Sequence, residues 1–83
     1  MHHNGIREKL FSILEIKYGF KLIEINPDLP IFDQFAIDSM QLVAIAADVE
    51  NEFAIELPLT FLEKPTLNNF LEMVIVAVEA KAA

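Results

Sequence analysis

The residue types that could carry chemistry in this chain are few: the adjacent pair His2 and His3, thirteen Asp and Glu carboxylates, and the serine at position 39. His2 and His3 sit at the N-terminal end with no cysteine and no carboxylate at helical ligand spacing, a pattern that reads as a frayed terminus and not as a metal site. No window supplies the alternating oxygen ligands, central glycine and closing Glu of a calcium loop. With Gly5 and Gly19 as the two glycines, neither a phosphate-cradling loop nor a dinucleotide fingerprint can be written. A Ser-His-Asp device needs a histidine held rigidly against the serine, and both histidines lie where a chain is least ordered. Paired carboxylates need a pocket to push their pKa values apart, for which a chain this short has little room. The expectation is therefore no catalytic residue and no metal. Ser39 remains: it stands at a helix start, where free N–H groups and the macrodipole favour a phosphate. On position alone it also reads as an ordinary helix-start serine.

The elements that must position Ser39 follow from spacing. Ile6, Leu10, Ile13, Leu14 and Tyr18 recur at intervals of three and four, predicting a first helix from about Ile6 to Tyr18, with Asn4 or Gly5 near its cap and Gly19 as its stop. From Phe20 to Ile37 the pattern breaks at Pro27 and Pro30, giving a long connection too apolar for disorder, which is expected to lie pinned across the bundle. Asp38 then caps a second helix beginning at Ser39, and Gln41, three residues on, can reach back in a capping box. Leu42, Ile45, Ala46, Val49 and Phe53 form its inner stripe; Met40, Ala44, Ala47, Asp48 and Asn51 form the outer face. Thr60 to Glu63 reads as the capping box of a short third helix stopped by Pro65, and Thr66 caps a last helix from Leu67 to near Ala80. The predicted fold is all-α: one domain over residues 1–83 with a helical core of about 6–80. It is a small four-helix bundle with three longer helices, one short one and a long ordered loop between the first two.

Bulk properties narrow the role. Eighty-three residues bury only about 60–65% of the unfolded surface, enough for one thin core. The absence of cysteine excludes a disulfide scaffold and a thiol nucleophile. The net charge of −7 disfavours nucleic acid and anionic membrane surfaces, and the longest apolar runs, Leu42 to Ala47 and Met73 to Val78, are far short of the roughly 20 residues of a membrane span. No secretory signal is recognisable, so a cytoplasmic address is expected. The charge is also segregated: +2 over residues 1–21, −9 over 22–63 without a single Lys or Arg, and 0 over 64–83. Such a middle segment either steers a basic partner or simply keeps a greasy domain soluble.

Phe35-Ala36-Ile37-Asp38-Ser39-Met40, followed by Gln41-Leu42-Val43-Ala44-Ile45, resembles the attachment motif of acyl carrier proteins, whose serine is modified with 4′-phosphopantetheine. Glu50 to Pro58 resembles the end of that family's second helix and the following turn, and Phe61-Leu62-Glu63-Lys64-Pro65-Thr66-Leu67 resembles a signature of polyketide and peptide-synthase carrier domains. The resemblance spans Ile6 to Val78. It implies Ser39 as the attachment site, Asp38 as its motif neighbour, and Met40, Ala44, Ala47 and Asp48 as the face met by partners. It also implies a phosphopantetheinyl transferase and acyl-loading and acyl-transferring synthase enzymes as those partners, and a monomer that is not itself an enzyme. A thioester carrier with no cysteine of its own must take its thiol from the prosthetic arm.

Two departures from the family pattern matter. Ala36 stands where the family usually has glycine, so the backbone there must tolerate a Cβ. Gln41, Ala44 and Asn51 replace acidic residues usual in fatty-acid carriers, so partner recognition is expected to lean on contact area and to show shallow salt dependence. The aliphatic residue before Asp38-Ser39 favours an acyl cargo over an aminoacyl one. The small Ala46 is expected to serve close helix packing before it serves as space for a cargo chain. Three alternatives stay open at this point: a peptidyl or aminoacyl carrier, a non-catalytic acidic helical module without a prosthetic group, and a small enzyme.

Overall fold

Ile6, Leu10, Ile13 and Leu14 turn to one side of the first helix and are buried there, Leu10 completely. A computed structural model describes residues 3–82, with side chains described over 5–81. Three α-helices make up the architecture, α1 His3–Tyr18, α2 Ser39–Phe53 and α3 Leu67–Ala82, and the described residues contain no strand. α1 packs against both α2 and α3. Leu42, Ile45, Ala46 and Val49 enter the shared core from α2; Leu67, Phe70, Leu71 and Val74 enter it from α3. Burial of this continuous apolar surface is what holds three helices of 15 or 16 residues that would be marginal alone.

α1 starts earlier than its apolar stripe indicates. Asn4 and Gly5 lie inside the helix and do not cap it. His2 lies outside the described residues, as do the side chains of His3 and Asn4. At its other end, Gly19 adopts φ +71°, and the N–H groups of Gly19 and Phe20 donate to Glu15 O (3.1 Å) and Leu14 O (3.2 Å), closing the helix as a left-handed glycine commonly does.

The connection from α1 to α2 contains two three-residue 3-10 turns, Leu22–Glu24 and Ile31–Asp33. Its second half is hydrogen-bonded to the start of α3: Ile31 N–H donates to Pro65 O (2.8 Å), and Asn68 N–H donates to Pro27 O (3.0 Å). Asn68 also donates through its side-chain amide to Asp28 Oδ1 at 2.6 Å. The Gln34 amide gathers the same loop by accepting from Asn26 N–H (2.8 Å) and donating to Asn26 O (2.9 Å).

Between α2 and α3 the short third element is present, but the capping box expected for it at Thr60 and Glu63 is corrected. The chain makes a four-residue 3-10 turn, Leu59–Leu62, whose cap position is Pro58 and which has no side-chain cap hydrogen bond. Thr60 lies within that turn and is exposed, so its hydroxyl cannot serve the role a capping box assigns it. What anchors the turn is Phe61, 1% exposed, with its ring edge-on to Phe70 at 5.7 Å.

Candidate functional site

Asp38 fixes where α2 begins. Its backbone is extended (φ −108°, ψ 178°), its Oδ1 accepts from Gln41 N–H at 2.8 Å, and Gln41 Oε1 accepts from Asp38 N–H at 3.0 Å. The reciprocal box satisfies two donors at the helix entrance and places the next residue, Ser39, at the first helical position. Ser39 is exposed, and its hydroxyl bonds to no described residue. The N–H groups of Ser39 and Met40 have no preceding turn to donate to, so this end carries the partial positive charge of a helix start.

The approach to α2 is equally tight. Ile37 N–H donates to Phe35 O at 2.9 Å, folding the chain sharply at Ala36. Ala54 is the one non-glycine with positive φ among the described residues, so Ala36 meets the requirement of a conformation that accepts a Cβ.

Met40, Ala44 and Ala47 line up on the solvent side of α2, with Met40 80% exposed. Val43, one turn beyond Ser39, is 38% exposed and extends this apolar face; its spacing of four from Ser39 and three from Met40 was the signal available in the sequence. Asp48 is placed differently from the rest. It is partly buried and accepts a hydrogen bond from the Tyr18 hydroxyl at the end of α1, with Lys17 Nζ 4.0 Å away. Burial, and then the Asp48 hydrogen bond and charge, push the Tyr18 phenol up to about 12. Tyr18 reads in sequence as one more apolar stripe residue; nothing in a helical period reveals where its hydroxyl ends.

Beneath α2 the interior holds a cavity of about 20 Å³, lined by Leu14, Leu42, Ile45, Phe61 and Phe70 among others. That is room for about one water. Ala46 is buried and does not line it, which places its small side chain in packing. No three His, Cys, Asp or Glu residues gather as a metal site among the described residues, and no described helix is long and apolar enough to cross a membrane.

The described residues thus form an all-helical domain with an exposed, unengaged serine at the head of its second helix. A family profile described as the phosphopantetheine attachment site matches residues 6–74. The acyl carrier protein of Chlorobium phaeobacteroides is 32% identical over 53 residues, covering 64% of this chain and 68% of that protein. The acyl carrier protein of Rickettsia bellii is 31% identical over 55 residues, covering 66% and 68% respectively. No solved structure matches. The chain belongs to the acyl carrier protein family, and the prosthetic group of that family's attachment domain is covalent 4′-phosphopantetheine. The donor set fits such a group: an accessible primary hydroxyl is what a phosphodiester to the arm requires.

Proposed function

We propose that Ser39 is the attachment point of 4′-phosphopantetheine, and that the chain carries acyl intermediates as thioesters in fatty-acid, polyketide or related biosynthesis, as a cytoplasmic monomer. The observation that carries this reading is the exposed Ser39 hydroxyl, free of any described partner, at the capped head of α2 inside the matched span. In the attachment step the Ser39 oxygen attacks the pyrophosphate of coenzyme A on a separate phosphopantetheinyl transferase. A phosphodiester bond forms, the pyrophosphate P–O bond breaks, and the nucleotide 3′,5′-bisphosphate leaves; the serine proton goes to a base on the transferase, which also supplies the metal.

When bound, the arm supplies the thiol that this cysteine-free chain lacks. The chain's own residues have other tasks. Asp38 and Gln41 hold the first turn so that the serine is presented at a fixed point. Met40, Ala44 and Ala47, together with Val43, offer the apolar surface on which the transferase and the acyl-loading and acyl-transferring synthase enzymes dock. Asp48 borders that face.

Incubating the chain with coenzyme A and a broad-specificity transferase tests the assignment by intact mass. The expected result is a gain of one phosphopantetheine mass on the natural chain and none on Ser39→Ala. A chain that stays bare under competent conditions, or a variant that still gains the mass, ends the proposal.

A further inference from the structure

On the side of α2 that faces the end of α1, a groove of about 170 Å³ opens between Tyr18, Phe20, Ile37, Gln41, Ala44 and Ile45. Its floor is apolar and held by packing: Phe20 and Ile45 are buried, and the Phe20 ring stacks on Phe35 with centroids 4.7 Å apart. Its wall is held as well, because the Tyr18 hydroxyl is committed to Asp48. The rim is polar. Gln41 is exposed, and while its Oε1 accepts from Asp38, its amide NH₂ donates to no described residue.

The groove lies beside the attachment point. Ile37 and Gln41 stand two residues before and two residues after Ser39, so each has its Cα within about 7.6 Å of the Ser39 Cα, two successive spans of 3.8 Å. One methylene beyond its phosphate, the 4′-phosphopantetheine arm bears a carbon with two methyl groups, then a hydroxyl-bearing carbon and an amide. That order of apolar then polar groups matches a floor of Phe20, Ile37 and Ile45 beside the Gln41 amide.

Resting on Ser39 as the attachment point, we propose that this groove seats the phosphate-proximal segment of the chain's own arm, with Tyr18, fixed by Asp48, as its side wall. Size sets the limit: sites for whole drug-sized ligands run to about 300–1,000 Å³, so 170 Å³ takes a segment and leaves the thiol end outside for partner enzymes. Tethering removes the need for a tight site. A short flexible linker gives an effective concentration in the millimolar range, so a groove with an intrinsic affinity of only about 1 mM is substantially filled. The interior cavity, at about 20 Å³, offers the same segment no room without repacking.

The test uses the full chain, isotopically labelled, before and after modification by the transferase, with attachment at Ser39 established by intact mass. Isotope-filtered NMR is expected to show contacts from the arm's paired methyls to the Ile37 and Ile45 methyls and the Tyr18 ring, with the Gln41 side-chain amide shifted from its unmodified position. If the mass is gained but the arm's methyls contact only residues 38–40, or contact Phe61, Leu67 and Phe70, the groove assignment is overturned and attachment stands. If no mass is gained at Ser39, the attachment reading fails and the groove assignment fails with it.

Discussion

Tyr18, the last residue of α1, donates its hydroxyl to Asp48 on α2, thirty positions away in the sequence. This bond ties the end of the first helix to the flank of the proposed partner face, and it gives the domain a defined pH signature. The Tyr18 phenol is raised from its ordinary 10 to about 12, so the folded state favours the protonated form. The stabilisation is therefore complete below pH 10 and is lost as pH rises from 10 through 12. Tyr18→Phe should unfold about 1–2 kcal/mol more easily at pH 7, the usual scale for a hydrogen bond to a carboxylate. By pH 11 that gap should have narrowed by about 1 kcal/mol. Urea titrations of both proteins at pH 7, 9 and 11 measure it, and a gap unchanged at pH 11 contradicts the assignment.

The two left-handed residues give a paired expectation. Ala54, at φ 55° and ψ 48°, closes α2 while Ile55 N–H donates to Glu50 O at 3.0 Å. A Cβ in this region costs about 1–2 kcal/mol, partly offset by the unfolded-state entropy that glycine would add. Ala54→Gly should raise stability by about 0.5–1 kcal/mol. Gly19 at φ +71° has nothing within 4 Å of an added Cβ, so Gly19→Ala meets only the conformational cost and should lose about 1 kcal/mol. Opposite signs in denaturant midpoints are the outcome to look for; equal signs would show that the two turns are not strained as their dihedral angles imply.

Removing the α2 cap should register both in stability and at the site. Asp38→Ala deletes the acceptor for Gln41 N–H and releases the Gln41 side chain, at a cost of about 1–2 kcal/mol. Hydrogen exchange at Gln41 should speed up, and attachment at Ser39 should slow because the first turn no longer holds the serine in place. Unchanged exchange at Gln41 would mean the box does not order this turn.

The sequence was most informative where periodicity and capping chemistry coincide. Asp38 and Gln41 declared the start of α2, and the stripes Leu42-Ile45-Val49 and Leu67-Phe70-Val74 declared which faces are buried, because burial of a helical face imposes a period that survives in any context. Capping residues were less legible where no helix follows them. Thr60 and Glu63 have the spacing of a box, but Pro65 leaves too few residues to repay helix nucleation, and a 3-10 turn forms instead. Asn4 and Gly5 illustrate the converse, since a helix continues through them without any apolar period to announce it. Asp48 shows a third limit. Its place on the outer face follows from the helical angle, yet its commitment to Tyr18 depends on how α1 and α2 pack, which no local pattern encodes.

That commitment bears on how partners are recognised. Of the residues on the outer face of α2, Met40, Val43, Ala44 and Ala47 carry no charge, and the carboxylate that borders them is already held by Tyr18 with Lys17 4.0 Å away. A basic partner thus meets fewer unpaired charges here than the net −7 suggests, and exposed charges beyond the screening length of about 8 Å at physiological salt add little. If partners dock on this proposed face, contact area supplies most of the affinity. Raising the salt from low to several times physiological should weaken transferase binding by less than about threefold. Met40→Ala, which removes the most exposed apolar side chain of the face, should weaken binding by about tenfold, as truncation of a central contact does. Calorimetric titration of the transferase against both proteins across a salt series separates the two contributions. A steep salt slope combined with indifference to Met40→Ala would assign recognition to the field of the acidic middle segment, and the apolar face would lose its role.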